Sequence, residues 1–131
     1  MKIRCVAVLL SILAGAAASA DQSGVKFEVQ LTRDGKIVSS PVVVGEFGKR
    51  VRVEIADIMK FEASATAPDS EGNSLTSVKL YLFENGEMQS LREMSMRANL
   101  SETPAIEYAV PGTNARFRVM PRRVTLPEVK G

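Results

Sequence analysis

The stretch 26–55, KFEVQLTRDGKIVSSPVVVGEFGKRVRVEI, constrains the fold more than any other part of the chain. Phe27, Val29 and Leu31 alternate with Glu28, Gln30 and Thr32, the two-residue period of a strand with one buried face. Asp34-Gly35 follows and supplies the two positive-φ positions of a type I′ hairpin turn. A two-residue loop there sets Leu31 opposite Val38, Val29 opposite Ser40 and Phe27 opposite Val42. This register is expected because a slip by one puts Ser39 and Pro41 against the apolar row. Gly45 to Gly48 marks a second turn, after which Val51, Val53 and Ile55 alternate with Arg52 and Glu54.

The same period continues downstream. Asp57-Ile58 reads as a loop or bulge, and Phe61, Ala63, Ala65 and Ala67 then alternate with polar residues. PDSEGNS, at 68–74, is a polar turn. In the segment 75–83, Val78, Leu80 and Leu82 alternate with Lys79, Tyr81 and Phe83. Apolar residues on both faces near its end predict a central strand. Asn85-Gly86 is a second hairpin signal. The segment 88–100 carries two periods at once. Met88, Leu91, Met94 and Arg97 have helical spacing, whereas Met94, Met96, Ala98 and Leu100 alternate. Its neighbours are strands, so a strand over about 91–98 is predicted. Ile106, Tyr108 and Val110 form another strand before Pro111-Gly112, and 115–120 forms the last, with Phe117 and Val119 opposed to Arg116 and Arg118. Pro121 and Pro127 bracket a basic tail that is expected to fray from about residue 121. Seven to eight short strands without a long helix predict an all-β domain over 21–131. The expected architecture is a small antiparallel β-sandwich, with a β-barrel as the alternative.

Residues 1–20 read as a signal peptide. Lys2 and Arg4 precede a short apolar run, and Ala18-Ser19-Ala20 is an A-x-A site that predicts cleavage before Asp21. The run is shorter than the roughly 20 residues a membrane-crossing helix needs. No integral membrane segment is therefore expected after removal of the peptide, and the expected location is periplasmic or secreted. The only cysteine, Cys5, falls within the removed segment, which excludes disulfides and thiolate ligands from the mature chain. Of 17 basic residues two are lost with it, leaving 15 against 15 acids. A balanced charge gives no electrostatic reason to expect nucleic acid as a partner.

The chain contains no histidine. Without His or a mature Cys, Ser-His, Cys-His and His-ligated zinc chemistry are excluded. Carboxylate pairs such as Glu54 with Asp57, or Glu62 with Glu107, occupy polar alternation slots or turns, where solvated charges belong. No enzyme activity and no cofactor are expected. Asp69, Glu71 and Asn73 beside Gly72 have the spacing that opens a calcium loop, but the bidentate acid and flanking helices of an EF-hand are missing, so a solvated turn is the plainer reading. Met94 and Met96 project from one face of a strand, and their thioethers suit Cu(I), so periplasmic copper binding is the alternative function. The plainer reading is that they fill space between two sheets. Asn99-Leu100-Ser101 matches a glycosylation acceptor by chance in a chain with a bacterial-style signal peptide.

Arg116, Arg118 and Arg122 share strand parity, with Arg123 beside them. Their forked donors suit carboxylates or phosphates, so this row is the candidate docking site for an envelope protein or another acidic partner. The competing reading is an edge strand guarded by charge and proline.

One passage has a family likeness. Ile37-Val38-Ser39-Ser40-Pro41-Val42-Val43, then Gly48-Lys49 and a V-x-V strand, resembles a segment in the core of bacterial outer-membrane secretins. Ala63-Ser64-Ala65-Thr66-Ala67-Pro68 and Val78-Lys79-Leu80-Tyr81-Leu82 follow in the places of its later strands. The likeness covers about a third of the mature chain and implies an envelope β-module. It transfers no function and no site residue, because the membrane-inserting hairpin is missing. The expectation is an exported bacterial envelope protein with a non-catalytic binding or structural role, through protein–protein interaction.

Overall fold

A computed structural model of the chain describes residues 23–126. The segment 1–20, expected to be a signal peptide, lies outside them, as do residues 21–22 and 127–131. Nine strands follow in order: β1 Ser23–Arg33, β2 Lys36–Ser39, β3 Val42–Glu46, β4 Val51–Ile55, β5 Met59–Ala65, β6 Asn73–Glu84, β7 Glu87–Asn99, β8 Ile106–Ala109 and β9 Ala115–Thr125. A single 3₁₀ turn, η1 Leu100–Glu102, separates β7 from β8. The strands form two antiparallel sheets, and neither closes into a barrel. In sheet one β1 is flanked by β9 on one side and by β2 and β3 in succession on the other, while β8 lies outside β9. Sheet two runs β4-β5-β6-β7. This is the expected β-sandwich, with nine strands because Pro41 divides one long edge strand into β2 and β3.

Alternation explains the core. Val25, Phe27, Val29 and Leu31 of β1 face Phe61, Ala63, Val78, Leu80 and Leu82 of sheet two, with Phe117 and Val119 of β9 alongside. All are buried, and removing each large side chain from water contributes roughly 1.5–3 kcal/mol. Both hairpin signals form turns with positive φ at both central residues, Asp34 (54°) with Gly35 (78°) and Asn85 (55°) with Gly86 (83°). The first turn is tied to the β8–β9 turn, since the Asn114 side-chain amide donates to Asp34 Oδ1 over 2.7 Å.

Three expectations need correction. In the first hairpin Arg33 pairs with Lys36 and Thr32 with Ile37, as a two-residue turn requires, but a bulge then shifts the register by one. Leu31 stands opposite Ser39 and Phe27 opposite Val43. Ser39, Pro41 and Val43 therefore occupy the inner side, while Val38, Val42 and Val44 are exposed. The reason is position. This strand lies at the sandwich rim, where the inner side is only half-buried and tolerates Ser and Pro, and the bulge suits an edge. Secondly, the tail does not fray at residue 121: β9 stays paired with β1 through Thr125. Pro121 fits because β8 accompanies β9 only as far as Val119, so one flank there needs no donor. Thirdly, the segment 88–100 is strand throughout Glu87–Asn99, longer than expected. Its helix-like spacing arises from a bulge at Leu91, between the pairs Leu80–Arg92 and Tyr81–Ser90.

Candidate functional site

The register places the arginines together as their parity implied. Residues opposite one another in an antiparallel pair share a face. The outer face of sheet one therefore carries Arg116 beside Thr32, Arg118 beside Gln30, Met120 beside Glu28 and Arg122 beside Lys26. Glu107, opposite Arg118 on β8, joins the same face. It receives Arg116 at 3.2 Å and Arg118 at 3.9 Å. Two of the three arginines are thus shared with one internal carboxylate, whereas Arg122 has no acidic partner among the described residues. The edge-guard alternative does not hold over 116–119, because β9 lies between β1 and β8 there.

The exposed edge that does stand out is β2–β3. Ile37, Val38, Val42 and Val44 are four of the five exposed large aliphatic residues described, the fifth being Leu75. The other three free edges carry exposed charges: Arg52 and Glu54 on β4, Arg92, Glu93 and Arg97 on β7, and Glu107 on β8. Residues 37–45 carry none. A row of unpaired backbone groups without a charged guard is a template for another strand. Beside it, Val44, Val51, Val124 and Leu126 line an open groove of about 610 Å³, together with Glu46, Lys49 and Arg50. Lys26, opposite Val44 on β1, has no described acidic partner. Alternation alone does not reveal this edge, because it assigns Val38 and Val42 to the core. The signal available was the uncharged run itself.

The remaining candidates are held in structural contacts. Glu62 and Glu107 lie on opposite outer faces of the sandwich, so they cannot act as a pair. Glu62 accepts Arg50 at 3.3 Å and Arg52 at 3.5 Å, with the Tyr81 hydroxyl at 3.5 Å. Lys60 stands 4.2 Å from the Tyr81 ring centroid on the same face. Asp57 occupies a turn with φ of 63° and is exposed, as is Glu54 on β4. The calcium-like loop is closed on itself: Asp69 Oδ1 accepts the amides of Glu71 (2.9 Å) and Asn73 (3.0 Å), and Oδ2 takes Arg97 (3.3 Å). The amides of Asn73 and Glu71 hold the Asp69 carboxyl below its ordinary value, with Arg97 adding to them. The Asn99 side chain is occupied too, donating to Glu71 O and accepting Ser101 N, each at 3.0 Å. Met94 and Met96 sit on the inner side of β7, opposite Val78 and Thr76, and pack against the core. Among the described residues no three His, Cys, Asp or Glu gather into a metal-sized group, and no helix is long and apolar enough to cross a membrane.

Comparison with known proteins returns no matching family model, no matching curated protein and no matching solved structure.

Proposed function

We propose that the chain is an exported envelope protein with a non-catalytic binding role, and that it holds a protein partner by accepting an extended segment along the β2–β3 edge. The observation that carries this reading is the outward apolar row Ile37, Val38, Val42 and Val44 on the only one of the four free edges among the described residues without exposed charges over its middle. Strand addition draws affinity from main-chain hydrogen bonds and specificity from alternate side chains. The groove beside Val44 suits one larger apolar side chain of the partner. Lys26 lies next to Val44, so the partner's segment is acidic on the flank that faces sheet one. The signal peptide read at 1–20 and the secretin-like passage support an envelope setting.

A short synthetic peptide alternating threonine and valine and ending in two glutamates is a direct probe. Calorimetric titration should show binding that weakens with salt, since exposed charges are screened over about 8 Å at physiological ionic strength. Val44→Lys should abolish binding while leaving the melt close to wild type, because surface substitutions move stability by about 0.5 kcal/mol or less. Unchanged binding by Val44→Lys would contradict the reading. So would a dimer of the free protein that Val44→Lys dissociates, since that would assign the edge to a second copy.

A further inference from the structure

Nine arginines lie in the described residues, and seven have partners. Arg33 pairs with Glu84, Arg50 with Glu62 and Glu93, Arg52 with Glu62, and Arg97 with Asp69. Arg116 and Arg118 share Glu107, and Arg92 lies 5.8 Å from the Tyr108 ring centroid. Arg122 and Arg123 alone have neither an acidic nor an aromatic partner among the described residues. Both line one cleft of about 520 Å³, together with Ser23, Ser101, Thr103 and Thr125. No carboxylate belongs to that lining, although exposed Glu102 lies between two of its residues in sequence.

The fold explains how neighbouring arginines reach one place. Successive side chains of a strand leave opposite faces. Since β8 accompanies β9 only to Val119, the flank of β9 beyond it is open, and η1 brings Leu100 and Ser101 to the same cleft. Arg122 also stands directly opposite Lys26 on β1. Like charges opposite each other in a sheet are destabilising, so an anion held by Arg122 would relieve its repulsion with Lys26, which itself lies outside the lining.

We propose that this cleft binds a phosphoryl group. A guanidinium presents its N–H donors as a planar fork that takes two oxygens of a tetrahedral oxyanion at once. The Thr103 hydroxyl donates to Glu102 O at 2.7 Å, which leaves those of Ser23, Ser101 and Thr125. Two such forks and three hydroxyls exceed what the two oxygens of a carboxylate can accept, and match a group with three or four oxygens. The cleft has room for an ester substituent as well, and it is open to solvent. The cleft adjoins the groove beside the strand-accepting edge and shares Val124 and Thr125 with it, but none of Ile37, Val38, Val42 and Val44 belongs to its lining.

The test is a titration followed through the arginine Nε–H resonances in nitrogen–proton spectra. Inorganic phosphate should produce saturable shifts at Arg122 and Arg123, whereas chloride at matched ionic strength should not. Arg123→Gln, and separately Ser101→Ala, should weaken phosphate binding by about tenfold or more, the equivalent of one charge-assisted hydrogen bond. Arg116→Gln with Arg118→Gln should leave it unchanged, as should Val44→Lys. All variants should keep the wild-type backbone spectrum outside the cleft. Two sources of the group are separated by further arms. Binding of glycerol phosphate without sedimentation on phosphatidylglycerol vesicles assigns a soluble ester. Sedimentation on those vesicles but not on phosphatidylcholine, lost in Arg123→Gln, assigns a lipid headgroup. Equal shifts with chloride, or undiminished phosphate affinity in Arg123→Gln, would overturn the proposal.

Discussion

Gly45→Ala tests the corner where the strand-accepting edge meets the second sheet. Gly45 lies opposite Val25 on the inner side of β3, and its φ is not positive. A methyl carbon added there would stand 2.5 Å from Cγ1 of Val51, the first residue of β4. Two effects oppose each other. Replacing glycine where the backbone permits alanine stabilises by about 0.4–1 kcal/mol through the unfolded chain. Forcing an extra carbon against a packed neighbour costs about 1–3 kcal/mol, and Val51 cannot swing away freely because a β-branched side chain is stiff at χ1. Overlap wins, and the net loss is about 1–2 kcal/mol, a fall in Tm of roughly 5–15 °C for a domain this small. Val51→Ala alone removes two half-buried methyl groups and costs about 1 kcal/mol. In that background the overlap is gone, so adding Gly45→Ala should become stabilising by about 0.4–1 kcal/mol. Urea melts of the four proteins in the double-mutant cycle measure the sign change. Stabilisation by Gly45→Ala in the wild-type background, or strict additivity of the two substitutions, would refute the contact and the sheet-to-sheet approach built on it.

Val29→Asp places an unpaired charge in a fully buried slot and should unfold or aggregate the protein, whereas Gln30→Asp on the outer face should stay within about 0.5 kcal/mol of wild type in thermal melts. Asp69 has a folded pKa depressed below 3.8, so its contribution is present above that value and is lost as pH falls through the folded pKa. Asp69→Asn should therefore make the plot of Tm against pH shallower below about pH 4, and an unchanged acid slope would contradict the loop geometry. Met94→Leu with Met96→Leu conserves volume against the core and should cost less than about 1.5 kcal/mol, whether or not copper has been added before the melt. Stabilisation of the wild type by Cu(I) that the double variant loses would instead revive the copper-binding alternative.

The fold was legible wherever local chemistry and burial pointed the same way. Asp34-Gly35 and Asn85-Gly86 announce their turns, and the rows Phe27-Val29-Leu31 and Val78-Leu80-Leu82 announce their buried faces. The register beyond Thr32 was not legible, because it depends on the rim. A strand with neighbours on both sides would bury its valines, but an edge strand can turn Val42 and Val44 outward and place Ser39 and Pro41 on its half-buried side. The common face of Arg116, Arg118 and Arg122 follows from parity alone. That Glu107 engages two of them depends on the β8–β9 register, which the loop between those strands sets. The cleft at Arg122 and Arg123 lay beyond reach of any local pattern, since it arises where β8 stops short and η1 turns back towards β9.

Hydrogen exchange along β3 tests the strand-accepting edge most directly. Amides of Val42–Glu46 alternate between those that face β1 and those that face solvent. In the free protein the solvent-facing set should exchange as fast as a surface loop, while the set bonded to β1 is protected. Saturation with the threonine–valine–glutamate peptide should protect the solvent-facing set and leave β4, β7 and β8 unchanged. Protection that appears on one of those other edges, or nowhere along β3 at saturating peptide, would contradict the account.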